Sequence, residues 1–146
     1  MSKNLCALVL ISTAALTACG GGGGDSSNAL SLSAGVGEEL SLGYGETSDV
    51  GPLSLEFTAV VEDYRCGLAS SAVCVWEGNA QILVTATNGQ SSQVLTLNTS
   101  VQFPRSAMFA GHVIELRRLD PQPTFTNIPR PALEDYVATL FVDGPP

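Results

Sequence analysis

The chain has 146 residues, enough for one domain and too few for two independent hydrophobic cores. Fourteen Asp and Glu stand against six Lys and Arg, a formal charge of −8. This balance argues against a nucleic-acid partner, because clustered basic side chains are needed to neutralise phosphates. With 45% hydrophobic residues, the composition is also too apolar for a disordered protein.

The N-terminal segment has the pattern of an export signal. Lys3 is followed by an apolar run over residues 5–16, which is interrupted only by Ser12 and Thr13. The run is shorter than the roughly 20 apolar residues that span a bilayer, so we expect a secretory signal. A short anchor that stays attached is the alternative.

The signal ends in Leu16-Thr17-Ala18-Cys19, which resembles the lipobox of bacterial lipoproteins. The resemblance implies a signal peptide of residues 1–18, lipidation of Cys19 and N-acylation of the new terminus. In bacteria with two membranes, lipoproteins with Asp directly after the modified cysteine tend to stay in the inner membrane. Because Gly20 stands at this position, the resemblance also implies the outer membrane. Several acyl chains would anchor the protein firmly, since each buried CH₂ contributes about 0.8 kcal/mol. Ordinary secretion with unmodified Cys19 is the alternative.

A glycine-rich segment follows the cysteine. Residues 20–24 are five consecutive glycines, followed by Asp25 and three polar residues. This composition is typical of a flexible coil, so residues 19–29 are predicted to tether a folded domain of residues 30–146. Removal of the signal takes away Lys3, the single lysine, and leaves five arginines against fourteen acids, a charge of −9.

Two cysteines remain after processing. Cys6 leaves with the signal and Cys19 carries lipid, so Cys66 and Cys74 are left in an exported domain. Because export leads to an oxidising compartment, we expect them to form a disulfide. A redox or metal pair is the alternative, but C-x-x-C spacing is absent and the single histidine, His112, is distant in sequence. We expect no metal and no cofactor.

The domain is predicted to consist of strands, because apolar and polar residues alternate repeatedly. The alternation puts Tyr44 and Val61 on apolar faces and splits Arg117 and Arg118 between two faces. The predicted strands cover residues 38–44, 53–61, 80–86, 93–98, 113–119 and 136–142.

The connections between these strands complete the fold prediction. Asn88-Gly89 predicts a hairpin with a type I′ turn, and four prolines between residues 121 and 131 argue against an inner strand there. One helical turn is expected near residues 132–135. We therefore predict an all-β fold: a single antiparallel β-sandwich, immunoglobulin-like as first choice, or a small barrel of six to seven strands.

The most distinctive segment surrounds the two remaining cysteines. It reads Glu62-Asp63-Tyr64-Arg65-Cys66 and then Cys74-Val75-Trp76-Glu77-Gly78-Asn79-Ala80. It resembles a pattern of small uncharacterised bacterial lipoproteins, roughly Asp-Ser-Arg-Cys-Pro, a short gap, and Cys-x-Trp-x-Gly-x-Ala. Tyr64, Gly67 and Glu77 depart from that pattern. The resemblance covers the middle third of the chain, with a further match at residues 114–123. It implies the fold class and the disulfide, but no mechanism.

Three residues of this segment are candidate binding residues. A lone tryptophan in a small domain is usually core, so Trp76 is expected to pack inside, against the disulfide. The alternative is that Tyr64, Arg65 and Trp76 form an exposed cluster on a loop stiffened by the crosslink, since these residue types dominate binding hot spots. Arg65 could equally hold the hairpin through a salt bridge to Asp63.

The sequence contains no convincing catalytic pattern. Glu38-Glu39, Glu62-Asp63 and Glu134-Asp135 are expected to be solvated charges, because neighbours along a strand point to opposite faces. His112 is expected to be a surface or capping residue, and no serine lies in a G-x-S-x-G motif.

The function expected from these observations is non-catalytic. We expect a lipid-anchored module that binds an unknown envelope protein or glycan, an inhibitor of an envelope enzyme being one version. A structural or assembly accessory of the outer membrane is the alternative, and a hydrolase is a remote one.

Overall fold

The computed structural model describes residues 34–67, 74–124 and 130–145. The predicted signal peptide, Cys19 and the tether lie outside these residues. None of the described helices is long and apolar enough to cross a membrane. The described elements are β1 (Glu39–Gly43), β2 (Thr47–Val50), β3 (Leu53–Asp63), β4 (Ala80–Thr87), β5 (Ser92–Asn98), β6 (Ser106–Phe109), β7 (His112–Asp120), a 3₁₀ turn (Leu133–Asp135) and β8 (Val137–Asp143).

The strands form two four-stranded antiparallel sheets that pack on one core. One sheet has the order β2-β3-β4-β5 and the other the order β1-β8-β7-β6. The predicted antiparallel β-sandwich is therefore confirmed. Nearly all strands that are neighbours in a sheet are also consecutive in the chain, which is the pattern of a β-meander. This strand order differs from the immunoglobulin order that was the first choice. The long proline-rich connection joins β7 to β8 within one sheet.

The predicted apolar faces form the core. Alternate residues over most of each predicted strand are buried, as in β4, where every second residue from Ala80 to Ala86 faces inward. The same alternation buries Leu95 and Leu97 of β5 and Ile114 and Leu116 of β7. Because period-2 burial requires a regular strand, the alternation was sufficient evidence for these elements.

Two irregularities change which residues point outward. The register of β3 against β4 shifts after Phe57 and again after Val60, so Val61 is 51% exposed, although alternation put it on the apolar face. The register of β7 against β8 shifts between Leu116 and Arg118, so Arg117 and Arg118 are both exposed. A bulge adds one residue to one strand and thereby reverses the alternation beyond it.

The described residues form eight strands, and two of these strands were not predicted from the sequence. β2 and β6 have four residues each and lie at sheet edges, which is too short for alternation to be recognised. Tyr44 was also misassigned. β1 ends at Gly43, and Tyr44 lies in the following turn, partly exposed and edge-on to the ring of Phe57.

The predicted hairpin and helical turn are present. Residues 88–91 connect β4 to β5, but this four-residue loop is not a type I′ turn, since only Gly89 in it has a positive φ. The side-chain oxygen of Asn88 accepts hydrogen bonds from the backbone N–H groups of Gln90 and Ser91. The helical turn spans Leu133–Asp135, within the predicted residues.

The sandwich has two distinct ends. At the N-terminal end, Ala34 forms a bridge with Val50, and the backbone N–H of Gly37 donates to the carbonyl of Val142. At the opposite end, which we call the disulfide end, lie residues 64–67, 74–79, 99–105 and 121–124 and the turn before β8. Both ends of the described chain therefore lie away from the cysteines.

The bulge in β3 makes a stability prediction. Phe57→Ala should lower the free energy of unfolding by about 3–5 kcal/mol, because it removes a fully buried aromatic ring. Val61→Ala on the same strand should change it by less than about 0.5 kcal/mol. Urea denaturation measures both, and a large loss at Val61 would contradict its outward orientation.

Candidate functional site

The candidate site is built on an extension of the β3–β4 hairpin. Beyond the strands, the backbone N–H of Tyr64 donates to the carbonyl of Asn79 at 2.7 Å, and that of Cys66 donates to Glu77 at 2.8 Å. Cys66 and Cys74 form a disulfide, as predicted. The two arms are therefore held together up to the crosslink.

Gly78 permits the close approach of these arms. Its φ of +76° is a left-handed conformation that favours glycine. A Cβ at this position would collide with the backbone carbonyl oxygen of Tyr64 and lie 2.7 Å from the Cα of Arg65. The glycine of the Cys-x-Trp-x-Gly segment thus has a structural reason in this chain.

Arg65 and Asp63 form a buried ion pair at the base of the extension. The Arg65 Nε donates to Asp63 Oδ1 at 2.9 Å, and Nη2 donates to Oδ2 at 2.7 Å. Their side chains are only 6% and 5% exposed. Asp63 is therefore buried, and the expectation that Glu62-Asp63 would be two solvated charges is wrong for this residue. The salt-bridge alternative for Arg65 is the correct one.

The same guanidinium joins the two sheets. Arg65 Nη1 donates to the carbonyl of Leu119 and Nη2 to that of Pro121 at 2.9 Å. From the other sheet, the Tyr136 hydroxyl donates to Asp63 Oδ2 at 3.1 Å. Four hydrogen bonds thus engage the Arg65 guanidinium inside the protein and connect the hairpin extension to the other sheet.

The pKa values of the network follow from burial and charge. Burial alone would raise the pKa of Asp63, but the hydrogen bonds and charge of Arg65, with the Tyr136 hydroxyl, outweigh it and lower this pKa below its usual value. Burial and the Asp63 charge both raise the pKa of Tyr136. The native state thus favours ionised Asp63 beside protonated Tyr136.

Trp76 and Tyr64 are displayed at the disulfide end. Trp76 is 45% exposed and Tyr64 61% exposed, so the expectation that Trp76 packs in the core is wrong. Trp76 lies on the second arm, beyond the last strand residues that could bury it. The Arg130 guanidinium lies 5.3 Å from the centre of the Tyr64 ring, a cation–π contact.

A cavity of about 380 Å³ adjoins this extension. It opens because β6 begins at Ser106, opposite Glu115, and leaves the end of β7 without a neighbouring strand on that side. Arg105 donates instead to the carbonyls of Leu116 and Arg117. The described residues that line the cavity are Arg65, Cys66, Gly67, Cys74, Glu77, Gly78, Thr99, Ser100, Arg117, Arg118, Leu119 and Gln122.

Two buried asparagines position one wall of the cavity. Asn79 Nδ2 donates to Asn98 Oδ1 at 2.9 Å, and the backbone N–H of Ser100 donates to Asn79 Oδ1 at 3.1 Å. Asn98 Nδ2 donates to the carbonyl of Pro104 at 2.9 Å. Nothing in the local sequence pattern relates residues 79 and 98, so this network could not be predicted from the sequence.

The remaining candidate residues lie elsewhere. His112 is 3% exposed at the N-terminal end, so the expectation of a surface histidine is wrong; Gly144 packs directly on its ring. Within the described ranges, no group of three or more His, Cys, Asp or Glu could hold a metal ion.

Compared with known proteins, the chain matches no family model, no curated protein and no solved structure.

The steric role of Gly78 can be tested against Gly89. Gly89→Ala should cost about 1–2 kcal/mol, because φ is positive there but no atom lies within 4 Å of the added Cβ. Gly78→Ala should cost clearly more and change the fluorescence of Trp76, since the two arms must separate. Equal losses in urea denaturation would show that the arms do not approach as described.

The buried ion pair makes a second prediction. Arg65→Met should cost about 3–5 kcal/mol, because it leaves the Asp63 carboxylate buried and unpaired. Arg118→Met removes the exposed pair with Asp120 and should cost less than about 1 kcal/mol. Similar unfolding free energies for the two variants would refute the structural role of Arg65.

The lowered pKa of Asp63 sets the acid dependence of this stability. A group whose folded pKa lies below the unfolded value, about 3.9 for Asp, stabilises the protein above that value. The contribution disappears as the pH falls through the folded pKa. Between pH 6 and 2, the Asp63→Asn variant should therefore lose stability less steeply than the parent protein when both are compared by urea denaturation at each pH.

Proposed function

We propose that this protein is a lipid-anchored, non-catalytic binding module of the bacterial cell envelope. Its binding surface is the disulfide end, where Tyr64, Val75 and Trp76 are exposed beside the cavity. The single observation that carries the proposal is the exposure of two aromatic side chains on a crosslinked hairpin. Aromatic residues on a rigid support bind with a small entropic cost.

The polarity of the fold supports this choice of surface. The described chain begins at Ala34, at the N-terminal end, and the disulfide end lies across the length of the sandwich. An anchor upstream of residue 34 would attach the domain at the N-terminal end. The aromatic residues would then face away from the membrane, toward a partner in the surrounding compartment.

The lipid anchor itself is proposed from the resemblance of Leu16-Thr17-Ala18-Cys19 to a lipobox. Thioether lipidation of Cys19 and acylation of its amino group would supply several chains, and more than one is needed for stable attachment. The glycine after Cys19 supports the outer membrane as the destination.

A non-catalytic role is supported by the separation of reactive side chains. His112 begins β7, and residues 117–119 of the same strand line the cavity about 17–23 Å away at strand geometry. A general base must lie within hydrogen-bonding reach of its substrate, and the imidazole cannot reach the cavity.

The test is site-specific photocrosslinking of the full-length, lipidated protein in cells. The mature sequence has no lysine, so amine-reactive reagents are unsuitable. A photoreactive amino acid is introduced at Val75 or, as the matched control, at Met108, an exposed residue away from the disulfide end. We expect a discrete adduct from position 75 only, abolished by Trp76→Ala and by Tyr64→Ala.

A second control separates binding from folding. Val94→Ala alters an exposed apolar residue of β5 and should leave the adduct at position 75 unchanged. If positions 75 and 108 give the same adducts, or none, the binding proposal is wrong and a structural accessory of the outer membrane becomes the better interpretation.

A further inference from the structure

Strand β5 forms one edge of its sheet, and its outer side is open. Among the described strands it pairs with β4 alone. Directly after β5, the backbone N–H of Thr99 donates to the carbonyl of Ala80, which precedes the first pair of this ladder. Because backbone groups alternate sides along an antiparallel strand, the odd-numbered residues of β5 direct theirs toward β4 and the even-numbered residues direct theirs toward the open side.

Three residues present their backbone groups on the open side, namely Ser92, Val94 and Thr96. Among the described residues, no backbone hydrogen bond engages them there. Their side chains are exposed as well, Val94 by 57%. The next even-numbered residue differs, because the N–H of Asn98 donates to the carbonyl of Pro104 at 3.1 Å. The open part of the edge therefore ends before the disulfide end.

This edge lacks the features that usually keep sheet edges from pairing. Protected edges are short or carry charged side chains, prolines or bulges. β5 has seven residues, contains neither a charge nor a proline, and pairs with β4 in an unbroken register. A long, regular edge with open backbone groups is a template for a further strand.

The other three sheet edges are protected. β1 contains Glu39, β2 has four residues and contains Asp49, and β6 has four residues and directly follows Arg105. By contrast, residues 78–104 contain no charged residue and no histidine, although the whole chain has a charge of −8. Since like net charges keep two copies apart, the β5 edge is where they can approach with the least repulsion.

We propose that the β5 edge pairs with the β5 edge of a second copy of this chain. In the antiparallel register centred on Val94, the two Val94 residues face each other, and Ser92 of each copy faces Thr96 of the other. Each of these three pairs can exchange two hydrogen bonds, about six in all. Registers shifted by two residues in either direction retain only two such pairs.

The side chains of this register are self-complementary. Valine faces valine, and the hydroxyl of Ser92 faces that of Thr96, both of which are favourable cross-strand pairs. No like charges oppose each other, because the strand has none. A second copy of the same uncharged strand is therefore the occupant that the edge fits.

The resulting dimer is symmetric, and its contact is small. A two-fold axis joins the two β2-β3-β4-β5 sheets into one sheet of eight strands. Interfaces below about 1,200 Å² are typical of transient complexes, so we expect the dimer to be reversible. Because the paired strands are antiparallel, the two disulfide ends lie at opposite ends of the dimer.

Cysteine crosslinking of the full-length protein tests the pairing and its register. The two Val94 Cα atoms would lie about 5.5 Å apart, a distance that a disulfide spans. Val94→Cys should therefore form a reductant-sensitive dimer on mild oxidation. Thr96→Cys is the control on the same strand, since the two Thr96 Cα atoms would lie about 14 Å apart. Val61→Cys is the control at a similarly exposed valine, on the inner strand β3.

Nonreducing electrophoresis measures the crosslinked fraction against that of the parent chain. We expect at least ten times more dimer from Val94→Cys than from either control variant. Equal amounts of dimer in all three variants would indicate random collision and overturn the proposal. A preference for Thr96→Cys, or no dimer from Val94→Cys, overturns it as well.

Substitutions at the edge test whether backbone hydrogen bonds carry the pairing. In the Val94→Cys background, Thr96→Pro removes an open N–H group and should lower the dimer yield at least tenfold, and proline is tolerated at such an edge position. Thr96→Lys keeps the N–H but adds a charge that disfavours edge pairing, so it should also lower the yield. Thr47→Pro, on β2 at the opposite edge of the sheet, should stay within about twofold.

The urea unfolding midpoint of each variant shows whether it is folded. An equal loss of dimer from Thr96→Pro and Thr47→Pro, or unchanged yields with both substitutions of Thr96, overturns the pairing through β5.

This pairing is independent of the proposed function, because it uses neither Trp76 nor Tyr64. A Val94→Cys dimer without an adduct at Val75 supports the pairing and rejects the binding surface at the disulfide end. An adduct at Val75 without a Val94→Cys dimer overturns the pairing and leaves the binding module in place.

Discussion

The buried pair of Arg65 and Asp63 determines how the two sheets meet at the disulfide end. A single guanidinium neutralises the carboxylate that ends β3 and also occupies carbonyls of Leu119 and Pro121 from the other sheet. Tyr136 adds a third connection to the same carboxylate. Removing one partner would leave the other charge buried and unpaired, so the two residues stabilise the fold only as a pair.

This network also explains how a small domain can hold two exposed aromatic side chains in place beyond the ends of its strands. Tyr64 and Trp76 lie beyond the strands, where β-pairing alone would leave the hairpin free to separate. The disulfide closes its end, Gly78 allows its two arms to approach, and Arg65 fixes its base to the opposite sheet. The aromatic side chains are consequently displayed on a backbone that these contacts hold in place, and such ordering would lower the cost of binding a ligand.

The disulfide and the buried ion pair of this site differ in how far each could be predicted from the sequence. The disulfide was predictable, because the proposed export signal implies an oxidising compartment and leaves two cysteines to pair. The role of Arg65 was open, since its neighbours in sequence could not show that Leu119 and Pro121 lie beside it. The burial of Trp76 was predicted wrongly for a related reason, since the burial of a lone tryptophan depends on whether another element covers it. Among the described residues, the Trp76 side chain is about half exposed.

Local pattern determined the strands, their buried faces, the hairpin at Asn88-Gly89 and the sandwich, because alternation and turn chemistry act between residues close in sequence. Only the tertiary structure decided the two edge strands, the outward orientation of Val61 and the burial of His112. It also decided the cavity beside Arg117, because bulges, edge pairing and the gap after β6 arise from contacts between distant segments. The alternation along the sequence thus determined which side chains of the main strands are buried. Packing between distant segments decided which of the remaining side chains are exposed.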